Sequence, residues 1–539
     1  MPLRLPLPDG KTRSMAQNNP LIALLADLPT PLSRVEDYVA HWARVRPRGL
    51  ACIDRGQDLS FAELEQCVAR AAHRLASDGV GEGDCVAVLA PPSVDYLVSF
   101  LATASLGATW LGLNPKYTAH ELQHLIGDAK PRLVLVRPEI AGRDYRGDFN
   151  SFADTFRATG ARLSWLTQEP GCIVSPALCC GDDEVASETQ PPRVNAIAAL
   201  VYTSGTTGAP KAAQLTHAGL IRAALVRAHV WNVDPLRLIH NVPINHVGGL
   251  GDLTCTALVA GGTQVFLERF SVEATLSAIA GHQITYWYQA PTMFEMCLNA
   301  PEAEAMDWSS LQAAIWSGGR PSDALVRRLA RVAPKLGVDY SMTESIGPIT
   351  LSPLWNSASA YEGHVGWPDP ARGLRIVNAE GGLCARPGEI GEVELKDAWM
   401  FAGYRGPLRA DADGWFKTGD LATHEANGTW RLVGRSKEMF KSGGYNVYPR
   451  EVELVIEAFP GVSSVALVEA PDPLFGEIGV AFVACRAGVR ASEILEFCRA
   501  RLANYKVPKR IEIVSDLPML PIGKVDKARL RQMAKGVQV

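Results

Sequence analysis

The chain has 539 residues, 47% of them hydrophobic and 20% charged, with a formal net charge of -4. That length exceeds what a single core accommodates, so two or more domains are expected. The near-neutral balance carries no basic stripe suited to nucleic acid, and no apolar run reaches the roughly 18 residues needed to cross a bilayer.

The opening Met1-Pro2-Leu3-Arg4-Leu5-Pro6 has too many prolines and too short an apolar stretch for a signal peptide. Residues 1–30 read as a leader, with Met15 a second candidate start. Helical periodicity over Ser60 to Ala76 precedes an apolar strand at Asp84 to Leu89 and a helix at Ser93 to Leu106. The alternation returns at Arg132 to Val136, at Ala196 to Val201 and in the helix after Thr216, which predicts an α/β fold of helix-covered sheets. From about Gly363 to Gly434, glycine-containing turns between short strands predict a sheet-rich, barrel-like subdomain. Charged Ser436-Lys437-Glu438, a glycine-rich loop and a helix opened by Pro449 then mark a boundary. Helices near Arg450 to Phe459 and Ser492 to Leu502, with strands near Ser464 to Val468 and Val480 to Cys485, suffice for a small mobile α/β domain. The expected division is a large N-terminal domain over 31–435 and a small C-terminal lid over 436–539. The 11 cysteines are odd in number and scattered without a Cys-x-x-Cys spacing, which suits reduced thiols in a cytoplasmic protein.

The most informative stretch is Tyr202-Thr203-Ser204-Gly205-Thr206-Thr207-Gly208-Ala209-Pro210-Lys211. A strand that ends in a glycine-rich turn presents backbone N–H groups and hydroxyls to phosphate oxygens, while Lys211 adds a mobile positive charge. A nucleoside triphosphate is the ligand this pattern favours. The P-loop of kinases and GTPases ends in Gly-Lys-Ser/Thr, whereas Ala209 and Pro210 separate Gly208 from Lys211 here.

The run is similar to the phosphate-loop signature of the adenylate-forming enzymes, which include acyl-CoA synthetases, firefly-type luciferases and peptide-synthetase adenylation domains. Further motifs of that family follow in order from Leu59-Ser60-Phe61-Ala62-Glu63-Leu64 through Gly523-Lys524, across nearly all of the chain after residue 30. The resemblance implies a role for each matching residue. Thr203, Ser204, Gly205, Thr206, Thr207, Gly208 and Lys211 would cradle the ATP phosphates. Glu344, in Tyr340-Ser341-Met342-Thr343-Glu344, would hold Mg2+, with Thr203 as a second oxygen ligand. Tyr340 would stack on adenine beside Asp339, Ser341 and Met342, and Thr343 would hydrogen-bond the α-phosphate. Ser341 stands where most relatives carry glycine. Ser317-Gly318-Gly319-Arg320-Pro321 resembles the turn whose backbone runs along adenine. Arg320 replaces the usual small residue there, and either pairs with an acidic group on the substrate or faces solvent. Asp420, in Trp415-Phe416-Lys417-Thr418-Gly419-Asp420, would accept both ribose hydroxyls, and Arg435 would reach the same ribose or a nearby phosphate. His246, in Pro243-Ile244-Asn245-His246-Val247-Gly248-Gly249, corresponds to the gate between acyl pocket and thiol channel. The segment lacks the aspartate with which amino-acid-activating relatives bind an α-ammonium group. Lys524, in Leu517-Pro518-Met519-Leu520-Pro521-Ile522-Gly523-Lys524, would bridge carboxylate and α-phosphate as charge spreads over both.

By the resemblance, the chain is expected to be an ATP-dependent carboxylic acid–CoA ligase using ATP, Mg2+ and coenzyme A. It would pass through an acyl-adenylate and release AMP and pyrophosphate. The C-terminal domain would then turn about Lys437, withdraw Lys524 and bring Lys441, Gly443 and Gly444 to border the pantetheine tunnel. The walls of the acid pocket are expected from Tyr288, Ala290, Trp316, Gly318, Met342 and Ile346, with Val247 and Gly248 near the gate. Their small or apolar character suits an aryl or short-to-medium aliphatic acid. Two alternatives stay open, a carrier-protein phosphopantetheine as acceptor and an inactive nucleotide-binding paralogue. A homodimer is also left open.

Overall fold

The computed structural model describes residues 19–169, 171–179, 196–203, 210–405, 414–443, 445–519 and 525–536. The chain divides into two compact units, Met1–Arg372 with Lys396–Gly414 and Gly373–Leu395 with Trp415–Val539. Among the described residues, no helix is long and apolar enough to cross a membrane.

The larger unit holds two helix-covered sheets. One has six strands in the order Lys211–Thr216, Ile197–Thr203, Thr109–Gly112, Cys85–Leu89, Leu133–Val136 and Arg162–Trp165. All its pairs are parallel except the first. The other has nine strands, with a parallel centre built from Lys335–Ser341, Ala313–Trp316, Tyr286–Gln289, Arg237–His240, Thr263–Phe266 and Leu50–Asp54. Strand alternation sends Trp287 to one face and Tyr286 and Tyr288 to the other, so each face builds its own apolar cluster.

Helix starts fall where the sequence supplies caps. Ser60 accepts the Glu63 N–H while the Glu63 carboxylate accepts the Ser60 N–H at 2.8 Å, opening Phe61–Ser77. Phe61, Leu64, Val68, Ala71 and Leu75 form its buried stripe at spacings of three and four residues. Ser93 caps Val94–Ser105, and Thr216 caps His217–Trp231.

The smaller unit contains a four-stranded sheet of Gly373–Val377, Gly391–Lys396, Phe416–His424 and Trp430–Arg435. It also contains a five-stranded sheet centred on the antiparallel pair Val462–Asp472 and Gly476–Cys485. Val465 and Leu467 pack on one side with Val452, Ile456 and Ile494, while Ala466 and Val468 pack on the other with Leu530 and Ala534. Pro449–Glu457 and Ala491–Arg499 thus cover one face and Lys527–Ala534 the other.

Candidate active site

The phosphate-loop run is the connection of a hairpin. Ile197–Thr203 and Lys211–Thr216 pair antiparallel, and Thr203 stands directly opposite Lys211. Opposed residues of such a pair project to the same face, so a hydroxyl and an ammonium flank the loop at its base. The chain leaves the loop as a strand rather than a helix. Positive charge there comes from Lys211. Ser204, Gly205, Thr206, Thr207 and Gly208 lie outside the described residues.

Glu344 sits in a tight turn after the strand Lys335–Ser341. The Ser345 hydroxyl is bonded to the carbonyls of Met342 and Gly347, and the Met342 N–H reaches back to it. Ile346 adopts φ +61, a left-handed conformation that a β-branched residue holds only when its surroundings force it. The surroundings do so from two sides. Arg372 donates to the Ser345 carbonyl at 3.0 Å while its other Nη pairs with Asp397 at 3.0 Å. The helix His217–Trp231 presses close through glycines, since a Cβ on Gly347 would stand 2.4 Å from the Ala223 Cβ. Buried Glu344 then meets Tyr404, whose phenol donates to Oε1 at 2.5 Å. The Lys211 Nζ lies 5.6 Å from the centroid of the same ring. Burial and the Glu344 carboxylate push the Tyr404 phenol above the usual tyrosine range, so it remains a donor at neutral pH. Sequence reasoning missed Tyr404, whose only local signal is an aromatic after Gly403.

On the adenine side, Tyr340 and Thr343 are buried and Ser341 and Met342 half-buried. Gly318 and Gly319 are exposed, and Arg320 makes no hydrogen bond or ion pair among the described residues. Three expected side chains turn into the core instead. Asp339 precedes Tyr340 on a strand and therefore points to the opposite face, where its carboxylate receives Arg227 at 2.8 Å and the Tyr288 hydroxyl at 3.2 Å. Tyr288 also donates to Asp252 at 3.0 Å. Trp316 is wholly buried against Trp355 and Tyr361. Burial pushes the Asp252 carboxyl up to about 6 despite Arg227. Burial alone would lower the Arg227 guanidinium, but Asp252 and Asp339 raise it.

The gate segment leads into a π-helix, Gly248–Cys255. Exposed His246 accepts the Gly248 N–H on Nδ1 at 3.1 Å, and Val247 and Gly248 are buried behind it. A π-helical stretch is a frequent mark of a functional site. Ala290 is half-buried and caps Pro291–Asn299, and Ile346 is buried.

In the smaller unit, Asp420 and Arg435 are register partners, with Nε 2.7 Å from Oδ1. Lys437 and Lys441 are exposed. Gly443 holds φ +58 and donates to the Phe475 carbonyl, a conformation suited to a residue without Cβ. Gly444 and Lys524 lie outside the described residues. The ends of the Lys524 segment are paired, with Met519 bridged to Val525.

A hard divalent cation needs oxygen ligands, and the Glu344 carboxylate, fixed by the Tyr404 phenol, and the Thr203 hydroxyl at the base of the phosphate hairpin are the candidates. Among the described residues no group of three or more His, Cys, Asp or Glu could hold a metal alone. Such a sparse set suits an ion that completes its shell with nucleotide phosphates.

Comparisons with known proteins show the family. The family model for AMP-binding enzymes matches residues 39–405, and that for their C-terminal domain matches 451–524. An indoleacetate–CoA ligase from Aromatoleum aromaticum is 32% identical over 93% of this chain and 98% of its own. A feruloyl-CoA synthase from Amycolatopsis is 33% identical over 91% and 97%. The crystal structure of ATP-bound MatB from Rhodopseudomonas palustris superposes with a TM-score of 0.81 at 30% identity, covering 94% of this chain and 99% of that one. The chain therefore belongs to the AMP-binding enzyme family, in its acyl-CoA synthetase branch, and is an AMP-forming acid–thiol ligase that uses ATP, Mg2+ and coenzyme A.

Proposed function

We propose that the acid activated here is aryl-substituted, joined to CoA through an acyl-adenylate. What carries this reading is the likeness to aryl-acid ligases, not the Gly248-Gly249-Leu250-Gly251 run of the π-helix, where Pro243, Val242, Val247 and Leu220 already fill the space beside the glycines. The relatives named for indoleacetate and ferulate, both aryl acids, support it.

The assigned roles follow the chemistry of each group. Thr203, Ser204 to Gly208 and Lys211 hold the phosphates, and Tyr340 and the Gly318-Gly319-Arg320 turn bracket adenine. Asp420 and Arg435 serve the ribose. The acid carboxylate attacks the α-phosphorus and pyrophosphate leaves, with Lys524 and Thr343 meeting the negative charge that develops. Glu344 and Thr203 would hold Mg2+, which would supply charge neutralisation on the phosphates. The CoA thiol then attacks the acyl carbon and expels AMP, past His246 and along Gly443 and Gly444. Lys437 is the pivot between the two half-reactions, and 436–539 is the part that turns. The cytoplasm is the compartment that suits this reaction, supported by cysteines that are unpaired throughout the described residues.

The test is pyrophosphate and AMP release by the purified protein with aryl, short-chain and medium-chain acids, each with and without CoA. Aryl acids should give pyrophosphate, AMP and a CoA thioester with the highest kcat/KM. A preference for unbranched aliphatic acids would overturn the aryl assignment. Adenylate formation without a thioester would move the acceptor to a carrier protein.

A further inference from the structure

We infer that Tyr404 is the positioning residue for the metal-binding carboxylate, its phenol fixing Glu344 Oε1 and leaving Oε2 for a cation. This rests on the assignment of Glu344 as a metal ligand.

The backbone around Tyr404 is fixed before its side chain acts. Residues 401–405 run beside the exit strand of the phosphate hairpin: the Ala402 N–H donates to the Gln214 carbonyl at 2.9 Å, Gln214 to Gly403 at 3.1 Å, and Arg405 to Ala212 at 2.8 Å. Tyr404 is thereby bridged to Ala213, two positions from Lys211. At the other end, the Phe401 N–H donates to the carbonyl of Glu344 itself at 3.0 Å. The segment therefore joins the hairpin to the Glu344 turn, which lies 60 residues from Tyr404 and follows a strand of a different sheet.

Proton counting sets the orientation of the carboxylate. A phenol carries one hydrogen, and an ionised carboxylate only accepts. The Tyr404 proton is therefore spent on Glu344 Oε1. Glu344 Oε2 makes no hydrogen bond to a described residue and is held ready for a hard cation. The ring faces Lys211 at 5.6 Å, so the phosphate-binding ammonium leans on the same side chain.

Tyr404→Phe deletes one oxygen and keeps the ring, the Lys211 contact and the backbone bonds. The measurement is Mn2+ binding in the presence of ATP and without acid, read by the loss of the free-ion paramagnetic signal. It is made on the parent, Tyr404→Phe, Glu344→Gln and the double variant, with thermal melting of each. Hydrogen bonds to a charged group are worth enough that Tyr404→Phe should weaken Mn2+ binding about tenfold or more. ATP binding without metal should stay as in the parent, and the KM values for acid and CoA should not move. If Tyr404 acts through Glu344, adding Tyr404→Phe to Glu344→Gln should cost little beyond Glu344→Gln alone. Parent-like Mn2+ affinity in Tyr404→Phe, with Glu344→Gln weakened, overturns the role of Tyr404 alone, and so does full additivity in the double variant. Parent-like affinity in Glu344→Gln overturns the ligand assignment and this inference with it. None of these outcomes depends on which acid is the substrate.

Discussion

Arg227 ties Asp339 to Asp252. Its Nη2 lies 2.8 Å from one carboxylate and 2.7 Å from the other, and the guanidinium is fully buried. The two carboxylates belong to different parts of the site, Asp339 to the strand that carries Tyr340 and Asp252 to the π-helix behind His246. One cation therefore sets the spacing between the strand Lys335–Ser341 and the π-helix Gly248–Cys255.

Removing that cation leaves two buried negative charges facing each other. Arg227→Met should destabilise the larger unit by about 3–5 kcal/mol, the usual cost of breaking a buried pair from one side. Denaturant unfolding checks it. Asp252 holds its proton up to about pH 6, so the deficit should be smaller in mild acid, where one charge is neutralised. An Arg227→Met midpoint equal to the parent's at neutral pH would refute the structural role.

Glu36 gives a pH dependence of definite sign. Both its oxygens are buried without a hydrogen bond, and burial raises its pKa from 4.5 to about 7, against the opposing pull of Arg34 at 3.1 Å. His217, whose Nδ1 lies 3.9 Å from Oε2, is pushed down to about 4 by burial and is neutral where Glu36 titrates. Asp37 adds a second negative charge nearby. A carboxyl raised in the folded state stabilises fully below 4.5, and that stability is lost as pH rises through 7. The gap corresponds to roughly 3 kcal/mol. Glu36→Gln should therefore match the parent near pH 4.5 and be the more stable protein at pH 8. Melting curves at the two pH values decide it, and a gap that widens in acid would reverse the sign.

Lys211 stands across the hairpin from Thr203, so it provides the positive charge at the base of the phosphate loop. Lys211→Met should lower acid-dependent pyrophosphate release by about a hundredfold, in the range seen when one charge-stabilising donor is lost. Melting should barely change, because Lys211 is only half-buried and, among the described residues, its ammonium rests on the Tyr404 ring face. Stopped-time pyrophosphate assays at saturating ATP would show whether kcat or only KM responds, and an unchanged kcat would mean Lys211 binds without aiding the chemistry.

The parts of this molecule that were legible in the sequence are those written in neighbouring residues. Ser60 with Glu63, Ser93 and Thr216 announce helix starts, and the apolar runs at 85–89 and 197–203 announce strands. Thr203, Lys211 and Glu344 stood out through local motifs. Contacts that join distant segments left no such trace. Tyr404 meets Glu344 across 60 positions and Arg227 meets Asp339 across 112, and neither partner carries a mark of the other. The stretch 397–405 has no period of its own, and pairs with the hairpin only because Ala213 offers an open edge to Tyr404. Asp339 is a different case. It neighbours Tyr340 on a strand, so period-two alternation alone puts the two side chains on opposite faces.

Asp420 is the last residue whose role can be isolated by the substrate rather than by the protein. Its carboxylate, buried and held at 2.7 Å by Arg435, is fixed in place before any ligand arrives. A preorganised carboxylate accepting two ribose hydroxyls should discriminate against nucleotides that lack them, by about tenfold to a hundredfold per hydroxyl for hydrogen bonds to a charged group. The parent should therefore prefer ATP over 2'-deoxy-ATP and 3'-deoxy-ATP in kcat/KM for pyrophosphate release. Asp420→Ala should lose that preference while using the deoxy nucleotides about as well as the parent does. Arg435→Ala should keep the preference in weakened form, since the carboxylate stays but loses its anchor. If Asp420→Ala lowered activity with all three nucleotides equally, Asp420 would support the fold of its sheet rather than read the ribose.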